Sequence, residues 1–231
     1  MTCMYAMICI AAIMAIAFMV VRLKTRPVCG MLAKTAASVA FVLMGFIGIY
    51  QNCSGFSEVL LLGLVLGLVG DIVLEMKLVD TERSDYYFLG GTTAFGLGHI
   101  AYLVALLLYA SAAIDTGVQS EALISVVIAV VASAIILFSS RFMNIQFGKF
   151  IIPVAIYTLL LTYMTAFSII LFLGNCNLAL IAIGMLAFLL SDMTLSTMYF
   201  GGKADSKELF VICHVLYYGA QICIASFIFI T

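Results

Sequence analysis

Residues 57–76 read SEVLLLGLVLGLVGDIVLEM, an apolar run with one carboxylate, Asp71, well inside it. Twenty residues at ~1.5 Å rise per residue reach about 30 Å, the thickness of bilayer hydrocarbon. The run is therefore expected to be a transmembrane helix, and Asp71 to lie within the bilayer. An ionisable group at such a depth costs at least ~2.5–3.5 kcal/mol, so it usually faces a cavity, a partner or a substrate path. A second run carries Asp192 in the same way.

The rest of the chain agrees with that reading. The sequence is 66% hydrophobic and 9% charged, far from a soluble average and typical of a polytopic membrane protein. Eight segments are long and apolar enough to span, at about 2–21, 29–50, 57–76, 86–109, 120–140, 150–173, 176–199 and 208–230. The expected fold is all-α, a single domain of eight transmembrane helices over 1–231, with no polar stretch long enough for a soluble module. The first segment has no basic residue before it and no small-residue cleavage site after it, and is expected to be a retained helix.

All ten basic residues fall on one side of this topology. Arg22, Lys24, Arg26 and Lys34 read as the first connection, Lys77 and Arg83 as the third, Arg141 and Lys149 as the fifth, and Lys203 and Lys207 as the seventh. Lys and Arg stay cytoplasmic, so both termini are expected on the non-cytoplasmic side, in a cell membrane such as the bacterial inner membrane. Net charge is −1, which gives no reason to expect nucleic acid. Seven cysteines are scattered without a Cys-x-x-Cys pair. Most read as small buried hydrophobes, while Cys53 and Cys176, near outside connections, are able to pair only if that compartment oxidises.

Depth separates the ionisable candidates from ordinary loop charges. Counting ~1.5 Å per residue, Asp71 lies about 9 Å in from Lys77 and Asp192 about 16 Å in from Lys203; His99 lies about 21 Å in from Asp85 and His214 about 10 Å in from Lys207. Asp71-x-x-Leu74 is followed one helix later by His99-x-x-Tyr102, and Asp192-x-x-Leu195 by His214-x-x-Tyr217, a faint echo of a parallel four-plus-four repeat. Gly63-x-x-x-Gly67, leading to Asp71, has the spacing that lets helix backbones approach closely.

Each candidate has a plain reading beside its functional one. Glu75 shares the face of Asp71, yet stands nearer the interface beside Lys77, where the expected reading is a solvated group. Ser191, Thr194, Ser196 and Thr197 around Asp192 can bond helix carbonyls, and Ser191 lacks a nucleophile elbow. His99 and His214 each share a face with a tyrosine, Tyr102 and Tyr217, and either imidazole can be a packing group. Tyr157, Tyr218 and Gln221 add polar tips, Gln221 on the face of Tyr217. Two buried carboxylates that repel one another can divide so that one keeps its proton and the other its charge. That division suits a reaction with an oxocarbenium-like transition state.

At these residues the chain resembles the YhhN family, the lysoplasmalogenase-type membrane proteins. The resemblance is carried by Gly70-Asp71 with Leu74; Phe88-Leu89-Gly90, Phe95, His99 and Tyr102; Pro153-Val154, Tyr157, Met164 and Ala166; Gly184, Phe188 and Ser191-Asp192; and Tyr218 with Ala220-Gln221. These follow the family's order over helices three to eight; His214 lies outside them. The resemblance implies eight spans and hydrolysis of the vinyl-ether bond of lysoplasmalogens, without an organic cofactor. Asp71, Asp192 and His99 are then the catalytic candidates. Tyr102, Tyr157, Ser191, Tyr218 and Gln221 would bind substrate, with Glu75 and His214 as further candidates. No metal is called for, and the partner is a membrane lipid rather than another protein. Two other readings use the same residues: a proton-coupled transporter of an amphiphile, and a metal-dependent lipid hydrolase with two Asp and two His as ligands.

Overall fold

The computed structural model describes residues 2–113 and 118–230; the middle of the fourth connection, 114–117, lies outside the described residues. Among the described residues there are eight long helices: α1 Thr2–Lys24, α2 Pro27–Gln51, α3 Gly55–Met76, α4 Ser84–Ala113, α5 Gln119–Phe142, α6 Ile151–Gly174, α7 Ala179–Phe200 and α8 Lys207–Ile230. All eight are long and apolar enough to cross a membrane. The expected spans fall on these helices one for one, with ends that differ by up to four residues and short 3₁₀ turns at Gly148–Phe150 and Cys176–Leu178.

Local chemistry explains several ends. Pro27 occupies the first turn of α2, where its missing N–H costs nothing. Ser54 and Ser57 form a reciprocal capping box at the start of α3. Asn144 and Gly202 take positive φ in the fifth and seventh connections, where the backbone must turn sharply. The 30-residue α4 is about 45 Å long, more than the hydrocarbon requires.

The helices pack as two compact units. Unit 1 comprises Met1–Ala105 with Gln221–Thr231; unit 2 comprises Leu106–Ala220. Unit 1 thus holds α1, α2, α3, the start of α4 and the end of α8, and unit 2 holds the end of α4, α5, α6, α7 and the start of α8. In unit 1, α2 packs against both α1 and α3; in unit 2, α6 packs against both α5 and α7. Phe18, Phe41, Met44, Leu60, Leu64 and Phe227 fill the interior of unit 1; Leu161, Met164, Phe167 and Phe188 fill that of unit 2. Leu, Val and Ile on the outside of α5 remain exposed, as a lipid-facing surface requires.

In unit 1 the glycines of α3 and α4 bring the two backbones together. A Cβ on Gly63 would overlap the Tyr102 ring and lie 3.1 Å from the Gly98 carbonyl oxygen; one on Gly91 would lie 3.3 Å from the carbonyl oxygen of Gly70. The small-residue spacing read from the sequence therefore has its expected use. It seats α4 one residue from Asp71.

Candidate functional site

Unit 1 builds its polar centre from three helices. Asp71 is 2% exposed and sits on α3. Its Oδ2 accepts a 2.6 Å hydrogen bond from the Ser38 hydroxyl of α2, and its Oδ1 lies 3.3 Å from the Lys34 ammonium, also of α2. Glu75 continues the same face one turn on. Its Oε2 is 3.5 Å from the Lys34 Nζ and its Oε1 accepts from Arg22 Nε of α1 at 2.8 Å. The two α2 residues are four apart, as are the two on α3, so each pair presents one face to the other helix. Formal charges balance: Arg22 and Lys34 against Asp71 and Glu75.

Two readings of the sequence are corrected by this network. Lys34 is 5% exposed and belongs to the interior of α2, not to the first connection. Glu75 is 4% exposed and ion-paired, so it is not a solvated group beside Lys77. The physical reason is the same for both. A charge held against opposite charges with hydrogen bonds can lie deep where a lone charge cannot. Lys77, just past the end of α3, feels the edge of this cluster. Burial lowers its ammonium to about 8, against the pull of the Glu75 carboxylate, with Lys34 adding a smaller downward push.

Also in unit 1, α4 supplies His99 and Tyr102, 1% and 2% exposed, with ring centroids 6.0 Å apart in an edge-on contact. The Tyr102 hydroxyl donates to Gln221 Oε1 at 3.0 Å, joining α4 to the end of α8. Gln221 is fully buried. The sequence pairs Gln221 with Tyr217 by spacing; in space its Oε1 accepts from Tyr102 of another helix.

Unit 2 holds the second carboxylate. Asp192 of α7 is half-buried, and its Oδ2 accepts a 2.5 Å hydrogen bond from the Tyr157 phenol of α6. The neighbouring Ser191 donates to the Cys213 carbonyl of α8 at 3.0 Å, the plainer of the two roles open to it. His214 Nδ1 lies 2.8 Å from the Phe210 carbonyl one turn back; a carbonyl only accepts, so this nitrogen carries the hydrogen. Tyr218 is buried with its ring 5.1 Å from that of Tyr217, which in turn meets Phe188 at 5.4 Å. Cys53 and Cys176 are both free thiols at exposed positions. Among the described residues, no three of His, Cys, Asp and Glu gather as a metal site.

The residues missed in the sequence are Lys34, Ser38 and Arg22. A signal existed: Lys34 is eight residues past Arg26, about 12 Å into the helix, too deep for an interfacial charge. The pair Lys34-x-x-x-Ser38 also has the spacing of Asp71-x-x-x-Glu75.

An α-helical bundle with ionisable and hydrogen-bonding side chains buried inside apolar helices defines the class: a polytopic integral membrane protein with polar centres at membrane depth. Its particular lineage is given by comparison. The chain belongs to the YhhN family, which matches residues 29–228 and so covers α3 to α7 entirely, with most of α2 and α8. Neither the curated proteins nor the solved structures compared with it give a match.

Proposed function

We propose that the protein is an intramembrane hydrolase that cleaves the vinyl-ether bond of a lysoplasmalogen-type lysophospholipid, giving a fatty aldehyde and a glycerophospho-alcohol. The observation that carries the reading is membership of the YhhN family, a lysoplasmalogenase-like family, over a stretch that includes both intramembrane acids. Asp71 and Asp192 are the proposed acid–base carboxylates. A carboxylic acid protonates the alkenyl carbon distant from oxygen, which leaves an oxocarbenium ion stabilised by an anionic carboxylate. Water adds to the carbon bonded to oxygen and gives up a proton to a carboxylate. The hemiacetal then collapses to aldehyde and alcohol, so one water is consumed and the acid is regenerated. Such proton transfers contribute typically ~10²–10⁴-fold in rate.

The remaining proposed roles follow from chemistry. His99 orients water or a carboxylate; Tyr102, Tyr157, Tyr218 and Gln221 supply hydrogen bonds to substrate or carboxylate. Basic residues at the cytoplasmic mouth meet the phosphate. Substrate enters from the bilayer, and no protein partner is required.

The test is aldehyde release from a lysoplasmenyl lipid by the purified protein, for wild type, Asp71→Asn and Asp192→Asn. Activity in the wild type, lost in both variants and unaffected by a chelator, supports the reading; full activity in both variants overturns the carboxylate pair. A second reading, a proton-coupled transporter, draws on the matching helix content of the two units. It is favoured instead if sealed vesicles show pH-driven uptake of the lipid without aldehyde.

A further inference from the structure

Lys34 is a basic residue held deep inside a helix with two carboxylates facing it. Its ammonium lies 3.3 Å from Asp71 Oδ1 and 3.5 Å from Glu75 Oε2. Arg22 meets the other oxygen of Glu75, and Ser38 the other oxygen of Asp71. All four oxygens are therefore occupied by donors. A serine hydroxyl can also accept, whereas the Lys34 ammonium only donates, and its buried positive charge is compensated by negative charge on the carboxylates it meets.

Without Lys34, Asp71 and Glu75 would be two acids four residues apart on one buried face, with Arg22 on one of them. Like charges that close cannot both remain ionised at little cost when buried. Lys34 is what makes the pair of negative charges compatible.

The geometry points to Lys34 as a positioning residue that keeps Asp71 a carboxylate, so that Asp71 serves as the anion or base and not as the proton donor. The charge of Asp71 stands on the ion pair; its part in the reaction rests on the hydrolase reading. The same ion pair divides the labour between the two acids. On the hydrolase reading the proton donor is then Asp192, whose Oδ2 accepts from the Tyr157 phenol.

Charged and titratable groups lie on each of the elements around Asp71. Lys34 and Ser38 from α2 meet Asp71 itself, Glu75 follows one turn on along α3 with Arg22 of α1 on it and Lys77 just beyond, and α4, packed against α3, carries His99 and Tyr102. The ion pair of Lys34 reaches the Asp71 carboxylate itself.

Infrared spectroscopy of the full chain in lipid nanodiscs, with isotope-labelled aspartate carboxyls at neutral pH, reads the charge of Asp71 without reference to activity. Expected is no protonated-carboxyl band from Asp71 in wild type or Lys34→Arg. Lys34→Met should gain one, and Lys34→Met/Asp71→Asn should lose it again. A protonated Asp71 in wild type, identified by comparison with Asp71→Asn, overturns the assignment, and does so even if Lys34→Met fails to fold. The absence of any gain in a folded Lys34→Met variant overturns it too.

Kinetics read the catalytic half. Lys34→Met should lower kcat about 10- to 100-fold at neutral pH with KM little changed, recovering as pH rises; Lys34→Arg should retain most activity. A kcat and pH profile matching wild type in Lys34→Met overturns the positioning role. If wild type releases no aldehyde, the hydrolase reading fails while the infrared result still decides the charge of Asp71.

Discussion

In unit 1 a carboxylate of the third helix takes a hydroxyl from the second; in unit 2 a carboxylate of the seventh helix takes a hydroxyl from the sixth. A shift of four helices maps one arrangement onto the other, and it also maps the helix content of unit 1 onto that of unit 2. The middle of α4 carries Phe95-x-x-x-His99-x-x-Tyr102 and the start of α8 carries Phe210-x-x-x-His214-x-x-Tyr217. The difference lies in charge. Where unit 1 has Lys34-x-x-x-Ser38 against Asp71-x-x-x-Glu75, unit 2 has Pro153-x-x-x-Tyr157 against Asp192-x-x-x-Ser196. One carboxylate is tied into an ion network, and the other accepts from a neutral phenol. Like frames with unlike electrical surroundings are a direct way to give two identical side chains opposite tasks.

Neutralising each acid in turn tests this contrast most severely. Both Asp71→Asn and Asp192→Asn should cut aldehyde release by about 100-fold or more. Only Asp71→Asn should also lower stability strongly, on the order of 3–5 kcal/mol, because it removes one partner of a buried ion pair. Equal stability losses, read by denaturation in detergent, would erase the contrast.

Removing the hydroxyls is a milder version of the same test. Tyr157→Phe should lower kcat by up to about tenfold, the effect of one hydrogen bond worth about 0.5–1.5 kcal/mol. Ser38→Ala should cost less, because Lys34 still holds Asp71. A larger loss in Ser38→Ala would mean that the hydroxyl, and not the ammonium, controls that carboxylate.

Packing offers a third contrast. Gly63→Ala should destabilise unit 1 by about 1–3 kcal/mol, since its methyl meets the Tyr102 ring. Gly219→Ala, in unit 2 with nothing within 4 Å of the added carbon, should be neutral or stabilise by about 0.5–1 kcal/mol through helix propensity. Thermal melts of the two variants check the sign.

The smallest effect concerns Lys77. Its ammonium is lowered to about 8 from 10.5 in the folded chain, so between those pH values the unfolded chain binds more protons. Stability should therefore rise with pH across that window relative to Lys77→Met. A melting-temperature difference between the two proteins that stays flat from about pH 8 to 10.5 would remove Lys77 from the charge cluster.

Much of this is legible in the chain of residues. Asp71 and Asp192 stand out because a carboxylate in an apolar run is anomalous by itself, and the Gly63 spacing points to close packing for the same local reason. Glu75 is harder, since its place two residues from Lys77 favours a solvated reading over the buried one that its spacing from Asp71 also allows. Arg22 and Lys34 overturn the solvated reading, and neither is a sequence neighbour of Glu75. The positive-inside pattern draws Lys34 into the first connection, because it counts charges near helix ends and takes no account of an acid on another helix.

The eight spans needed nothing beyond the sequence, because a helix in hydrocarbon must satisfy its own backbone and expose apolar side chains, and both are properties of consecutive residues. Which polar groups meet is a matter of tertiary structure. Tyr102 reaches Gln221 across 119 residues, and Lys34 reaches Glu75 across 41. Inside the bilayer, water does not compete for these groups. The partner each one finds is therefore fixed by the packing of helices, and that packing makes Asp71 one member of a charge network and Asp192 the acceptor of a phenol.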